Sequence, residues 1–413
     1  MNRILFFIPF VLLLSLVSKE SIAQTKSVLF IGNSYTNVNN LPNLLKEVAK
    51  SAGDTVISES HTPGGRQIWQ HANDPEVFNL IRSRNWDYVV IQCQSQEPSF
   101  PDQQVEQNVF PYARKICDSI TANNPCTIPL FYMTWGRKNG DADNCGFFPP
   151  LCTYEGMDSV LRSNYLKMGE QNEAEVCGVG AVWNELRKES SSIELYSGDE
   201  SHPSYAGSMA GAYSFYSTIF RKSPMEASYK GGLIQVVLDS IQIAVESVIF
   251  SNMSEYNIGV SDPSSNFTIT KSGCTFTLDG PDGNDSLLWD FGDGNISKMI
   301  DPTHEYATGG EYIIKLVGIR CGQADTMAQT VLCGTSGAGI WDDISVLTYP
   351  NPSNGSIVLA NGYFIESAIN NIGESIPFQN TENIYSFSGF KGILFLRLLN
   401  DRGEYITKKI IVE

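Results

Sequence analysis

Short, uninterrupted apolar runs separated by longer helix-like stretches constrain this chain more than any other feature. Residues 28–31 (Val-Leu-Phe-Ile), 88–91 (Tyr-Val-Val-Ile) and 128–133 are apolar at almost every consecutive position, so strands there would bury both faces. Residues 41–52 instead place apolar side chains at helical spacing. A strand at 55–58 and a weaker one at 176–182 complete an expected set of five. Buried strands alternating with helices predict a parallel sheet covered on both sides, the doubly wound α/β/α class. Sites in that class form outside the carboxyl ends of the strands. Ser34, Gly64, Gly65, Gln92 to Gln96 and Trp135 all stand just after expected strand ends.

The texture changes near residue 250 to Ser, Asn, Thr, Gly and Asp with short alternating strands, which predicts an all-β module. A Gly- and Ser-containing linker at 334–339 leads into a third segment of short strands. At 413 residues the chain is long enough for two to three domains. The expected division is 24–251, 252–335 and 336–413, preceded by a leader at 1–23. That leader has a cationic start at Arg3, an apolar run over 4–17 and the small-residue site Ser21-Ile22-Ala23, the pattern of an export signal. No transmembrane segment is expected in the mature chain, which should be secreted or held at the cell surface.

Forty-five acidic against 28 basic residues leave a net charge of −17, which argues against nucleic acid as a partner. The nine cysteines, an odd number, predict disulfides in an exported protein. Cys117 with Cys126 and Cys145 with Cys152 are the expected close pairs, and Cys274, Cys321 and Cys333 offer one further bridge. Cys93 and Cys177 lie in apolar runs and are expected as buried thiols. The four histidines, His61, His71, His202 and His304, are dispersed and no cysteine cluster has zinc-like spacing, so no metal site is expected. No glycine-rich phosphate loop points to a nucleotide, and no cofactor is expected.

Two strings carry candidate chemistry. Ile31-Gly32-Asn33-Ser34-Tyr35-Thr36 places a serine at a sharp turn after a strand, although Thr36 stands where a full nucleophile elbow has its second glycine. Asp199-Glu200-Ser201-His202-Pro203 sets a carboxylate three residues before a histidine, a spacing that lets it accept the imidazole Nδ1 proton while Nε2 faces outward. A serine needs such a base because its free hydroxyl is a weak nucleophile. The same strings also have structural readings, Ser34 as a turn residue and Ser201 as the cap of a helix over 204–220 with Pro203 in its first turn.

Together the two strings resemble the SGNH branch of the GDSL hydrolases, α/β/α-sandwich esterases and lipases, over roughly residues 26–224. The resemblance implies Ser34 as nucleophile, His202 as base and Asp199 as the orienting acid. It also implies an oxyanion hole of the Ser34 amide, a glycine amide matched by Gly65, and an asparagine side chain from a third block. Here the chain departs from the family, because Gln92-Cys93-Gln94-Ser95-Gln96-Glu97 replaces the usual Gly-x-Asn-Asp. Alignment along the strand puts Gln96 at the asparagine and Gln94 at the glycine, and a glutamine amide can donate the same bond on a longer arm. Gln94 and Trp135 are the expected substrate-binding residues. His61 and His71 are expected as ordinary polar residues, and Trp69 and Trp183 as core.

Trp289-Asp290-Phe291-Gly292-Asp293-Gly294, with Asp301 to Tyr306 and Gly310-Glu311-Tyr312, closely resembles the PKD domain, an immunoglobulin-like β-sandwich common on exported hydrolases. The Asp-Gly pairs suit tight turns and Trp289, Phe291 and Tyr306 suit a sandwich core, to which His304 belongs. Tyr349-Pro350-Asn351-Pro352 and the strands at 392–398 and 406–412 resemble the type A sorting domain of the type IX secretion system. That resemblance implies the outer-membrane secretion machinery as a partner. The combined expectation is a secreted serine esterase acting on acyl or acetyl esters, with an acylated polysaccharide as the candidate substrate. The alternative is a catalytically inactive surface adhesion or glycan-binding protein.

Overall fold

The computed structural model describes residues 23–334 and, with short breaks, 356–412. The expected leader up to Ile22, the Tyr349 to Pro352 motif and all of the linker after Gly334 lie outside the described residues. Two compact units are formed. The first holds the residues up to Ser264 together with Gly283–Ser286 and Gly318–Asp325. The second holds Ser265–Asp282, Leu287–Val317 and the residues from Thr326 onward.

The first unit is built on five parallel strands, β1 (Thr25–Ile31), β2 (Thr55–His61), β3 (Tyr88–Ile91), β4 (Ile128–Tyr132) and β5 (Glu175–Cys177), in the order β2-β1-β3-β4-β5. Val28 to Ile31 and Val89 to Ile91 are buried at successive positions, as strands covered on both faces must be. β2 is an edge strand and alternates in exposure instead. The chain steps from β1 outward to β2, then reverses to β3, β4 and β5. Because parallel crossovers are right-handed, that reversal sends the connecting helices to opposite faces. One group packs α1 (Leu41–Ser51) on α2 (Tyr205–Phe220), and α2 on Val179–Glu189 and Gln235–Val248. Another packs Pro75–Arg82 on Phe110–Asn123. This is the expected doubly wound fold, and its switch point lies between β1 and β3.

Three local expectations are corrected. The run at 176–182 is a strand only through Cys177, because Gly178 turns the chain and Val179, Val182, Trp183 and Leu186 bury a helical stripe. α2 is capped by Ser204, whose Oγ accepts from the Gly207 amide at 3.1 Å, and not by Ser201. Cys117 is a buried free thiol in helix Phe110–Asn123, while Cys126 is bonded to Cys321 within the first unit, a pairing that 195 residues of separation conceal. Cys145–Cys152 and Cys274–Cys333 are also bonded, and Cys93 and Cys177 are buried free thiols.

The β-sandwich of the second unit has a three-stranded antiparallel sheet and a four-stranded sheet around Trp289, Phe291, Phe276, Leu278, Tyr306, Ile314 and Leu316. The Tyr306 hydroxyl donates to Phe291 O at 2.7 Å, and the His304 ring stacks on Phe291 with centroids 4.0 Å apart. Beyond it, Gly392–Asn400 and Tyr405–Val412 pair antiparallel, and Leu394, Leu396, Leu398 and Ile410 belong to a core of their own. Among the described residues no single helix is long and apolar enough to cross a membrane.

A buried ion pair closes the sheet's amino end. Asp54, 2% exposed, accepts from the Lys222 Nζ at 2.9 Å through both oxygens, from the Gln24 amide at 2.7 Å and from the Tyr216 hydroxyl at 3.3 Å. Removing only the cation strands a desolvated carboxylate. Lys222→Met is expected to destabilise the first unit by about 3–5 kcal/mol, read by urea unfolding followed through tryptophan fluorescence.

Candidate active site

β1 and β3 are adjacent, with Ile31 opposite Ile91, so the chain leaves the sheet at neighbouring points at 32–37 and 92–97. A Cβ on Gly32 would come within 2.7 Å of both Gln92 Oε1 and Thr36 Oγ1, so only glycine fits this approach. The buried Gln92 carboxamide joins the two turns. Its Oε1 accepts from the Asn33 amide at 2.9 Å and from Thr36 Oγ1 at 2.8 Å, and its Nε2 donates to Asn33 Oδ1 at 2.8 Å. Asn33 also caps the short helix Ser34–Asn37, accepting from the Tyr35 amide at 3.1 Å. The nucleophile candidate is therefore held by Gln92, a residue that the sequence placed after a strand end but gave no role. Its signal was a buried position directly after a fully apolar strand.

Ser34 Oγ lies 2.8 Å from His202 Nε2, and His202 Nδ1 is paired with Asp199 Oδ2. The structure thus brings Ser34, His202 and Asp199 into one hydrogen-bonded chain from opposite ends of the first unit. Asp199 Oδ1 accepts from the Ser197 hydroxyl at 2.8 Å and from the amides of Ser201 and His202 at 3.1 and 2.9 Å. Partial burial alone would raise the Asp199 carboxyl, but the bonds from His202, Ser197 and these amides hold it well below the usual carboxylate range. A carboxylate that stays ionised keeps the Nδ1 proton in place and Nε2 free to act as base. The loop itself is tight. The Ser197 amide donates to His202 O at 2.8 Å, and Glu200 takes a left-handed φ of 59° between acid and base.

An aromatic stack stands behind the histidine. The Tyr35 hydroxyl is 2.5 Å from Ser201 Oγ, and its ring meets the His202 ring edge-on at 5.2 Å. Tyr35 stacks on Trp135 at 5.0 Å, and Trp135 on Trp183 at 3.6 Å. Trp135 is fully buried and its Nε1 donates to Ser201 O at 3.1 Å, so it supports the histidine loop and does not wall a substrate pocket, contrary to expectation. Trp183 is core as expected, whereas Trp69 is 44% exposed.

Gly65 is exposed, with φ of 65° and open space where a side chain would stand. Asn33 Nδ2 donates to Arg66 O at 3.1 Å, which anchors this loop beside Ser34. Gln94 and Gln96 are both half-buried, and Gln94 Nε2 donates to Gln96 Oε1 at 3.2 Å. Gln96 Nε2 donates to Asp141 Oδ2 at 2.6 Å. His71 is buried, not an ordinary surface polar residue, and burial first, then the charges of His61 and Arg66, lowers its pKa to about 4.

Glu97 was also missed. It is 7% exposed, and its Oε2 accepts from the Ile68 amide at 3.0 Å and the Gln94 amide at 2.9 Å, tying the glycine loop to the glutamine loop. Burial pushes its carboxyl up to about 7 against the pull of those two bonds.

Residues 264–331 match the PKD domain family. Solved structures similar to this chain include a DUF4886 family protein from Bacteroides uniformis, at 15% identity over 55% of this chain and 95% of that one, TM-score 0.47. A candidate SGNH hydrolase from Slackia heliotrinireducens is similar at 23% identity over 46% and 97%, TM-score 0.39. The first PKD domain of the Vibrio cholerae metalloprotease PrtV is similar at 31% identity over 18% and 98%, TM-score 0.16. No curated protein matches the sequence. The five-stranded parallel sheet with helices on both faces fits an SGNH-like α/β fold, and the antiparallel sheets over 268–333 fit a PKD-type β-domain.

Because Glu97 binds its proton more tightly in the folded chain, its contribution to stability is complete below about pH 4.5 and is lost as pH rises through about 7. His71, lowered to about 4, contributes the opposite slope, so the variant must be compared with wild type at each pH. Glu97→Gln should gain on wild type by on the order of 3 kcal/mol between pH 4.5 and 8, at about 1.4 kcal/mol per pKa unit. Chemical denaturation across that range checks this, and parallel curves would contradict it.

Proposed function

We propose that this protein is an exported serine esterase that cleaves acyl or acetyl esters, with ester-substituted polysaccharide as its substrate class. The Ser34–His202–Asp199 chain, with 2.8 Å between Oγ and Nε2, carries the reading. His202 takes the Ser34 proton as Oγ attacks the ester carbonyl, and the amides of Ser34 and Gly65 with the Gln96 side chain receive the oxyanion. Collapse of this intermediate returns the proton from His202 to the leaving alcohol and leaves Ser34 acylated. Water, deprotonated by His202, then releases the acid. The triad needs no metal or cofactor for these steps.

The three disulfides suit an oxidising compartment, and the PKD-type domain suits attachment to an extracellular polymer, which supports the polysaccharide assignment. We further propose passage by the type IX secretion machinery through the C-terminal segment. An inactive glycan-binding protein is the competing reading, favoured by the two glutamines that stand in the third block.

Hydrolysis of p-nitrophenyl acetate and of acetylated xylan, alongside fluorophosphonate labelling, decides between them. Ser34→Ala and His202→Ala should each lower kcat by on the order of 10⁶, and Asp199→Ala by about 10⁴, without additivity in the double variants. Labelling should be confined to Ser34. Glycan binding without Ser34-dependent turnover or labelling would establish the competing reading.

A further inference from the structure

Amide orientation at the oxyanion side is set by groups that no resemblance assigns. A glutamine can stabilise an oxyanion only through Nε2–H, so a carboxamide free to turn over would present its carbonyl half of the time and repel the developing charge. Gln96 is not free to turn. Its Nε2 donates to Asp141 Oδ2 at 2.6 Å and its Oε1 accepts from Gln94 Nε2 at 3.2 Å. A carboxylate accepts only and an –NH₂ donates only, so the two partners specify opposite ends of the same amide. One Nε2–H remains after the bond to Asp141. Gln96 lies on the segment that leaves β3, whose last residue Ile91 is paired with Ile31 at the end of β1, three residues before Ser34.

Asp141 is built to hold one position. It is fully buried, and Oδ1 takes Arg137 Nη1 at 3.0 Å while Oδ2 also takes Asn144 Nδ2 at 2.8 Å. Its amide donates to Leu151 O at 2.7 Å, and its carbonyl accepts from the amides of Asn144 and Cys145 at 3.2 and 2.9 Å. The Cys145–Cys152 disulfide closes this loop. At Gly140 a Cβ would come within 2.5 Å of Leu151 O, so glycine is needed for the loop to lie this close to the helical turn at Pro149–Cys152. The pairing with Arg137 offsets the burial of the carboxylate and leaves Oδ2 directed at Gln96.

We propose that Asp141 is a positioning residue that, together with Gln94, fixes the Gln96 carboxamide with its remaining Nε2–H available to the oxyanion. The proposal rests on the esterase reading above and adds how a glutamine serves where the related hydrolases use a shorter asparagine. The longer arm has an additional rotatable bond, and the carboxylate removes the freedom that bond introduces.

The test uses the full-length protein and reads kcat and KM on p-nitrophenyl acetate, the rate of Ser34 labelling by a fluorophosphonate, and the melting temperature. Gln96→Ala should lower kcat by about 10²–10³. Asp141→Asn keeps the shape but presents an amide that pairs with either end of Gln96, and kcat should fall about 10-fold or more with KM little changed. Combined with Gln96→Ala it should cost nothing further, because a residue that acts through Gln96 has no role once Gln96 is gone. Gln94→Ala, at a half-buried site, should behave in the same way and serves if Asp141→Asn does not fold. Wild-type kcat in both Asp141→Asn and Gln94→Ala, or losses that add to that of Gln96→Ala, would overturn the proposal while Ser34-dependent turnover persists. Absence of Ser34-dependent turnover and labelling in the wild type would overturn the esterase reading, and this proposal with it.

Discussion

The parallel pairing of β1 with β2 on one side and β3 on the other is the constraint on which the rest of the first unit depends. Parallel strands need right-handed crossovers, and a change in winding direction at β1 sends successive helices to opposite faces. A crevice then opens at the carboxyl ends of β1 and β3, because the segments that follow them diverge. Ser34 follows β1 and the glutamine-rich segment follows β3, so the candidate nucleophile and the candidate oxyanion donors leave the sheet at neighbouring points. His202 arrives from after the last strand, on the loop that opens α2.

Buried polar side chains hold this crevice in shape. Gln92 binds the turn after β1 to the turn after β3, Glu97 binds the glycine loop to the glutamine loop, and Asp141 binds the glutamine loop to the disulfide-closed loop. Each joins two segments that would otherwise be independent, and each is largely removed from water. Low local polarity strengthens such bonds and makes an unmade one costly, so the network selects one arrangement of the loops. The Tyr35, Trp135 and Trp183 stack does the same for the histidine loop by packing, with two hydrogen bonds, one between the Tyr35 and Ser201 hydroxyls and one from Trp135 Nε1 to Ser201 O, linking stack and loop.

Features governed by near neighbours in the chain were legible. Consecutive apolar residues marked β1, β3 and β4, and the three-residue interval from Asp199 to His202 marked a carboxylate within reach of an imidazole. Cys145 and Cys152, seven apart, paired as expected. The short apolar run at 176–182 was ambiguous because strand and helix periods cannot be separated over so few residues, and the turn at Gly178 resolved it into both. Ser201 and Ser204 are equally plausible caps by residue type. The helix begins at Tyr205, so Ser204 caps it, while the Ser201 hydroxyl pairs with Tyr35, a partner 166 residues away.

The amino-acid sequence by itself determined the α/β class, the change to β-modules near residue 250, and the residue types and spacing of the candidate set Ser34, His202 and Asp199. These follow from local periodicity and from chemistry confined to a few neighbouring positions. Only the tertiary structure decided that Trp135 lies under Tyr35, that Cys126 bonds Cys321, and that Gln92, Glu97 and Asp141 hold the loops around Ser34. Each of those depends on which distant segments the sheet order brings together, and no property of a single segment encodes its partner.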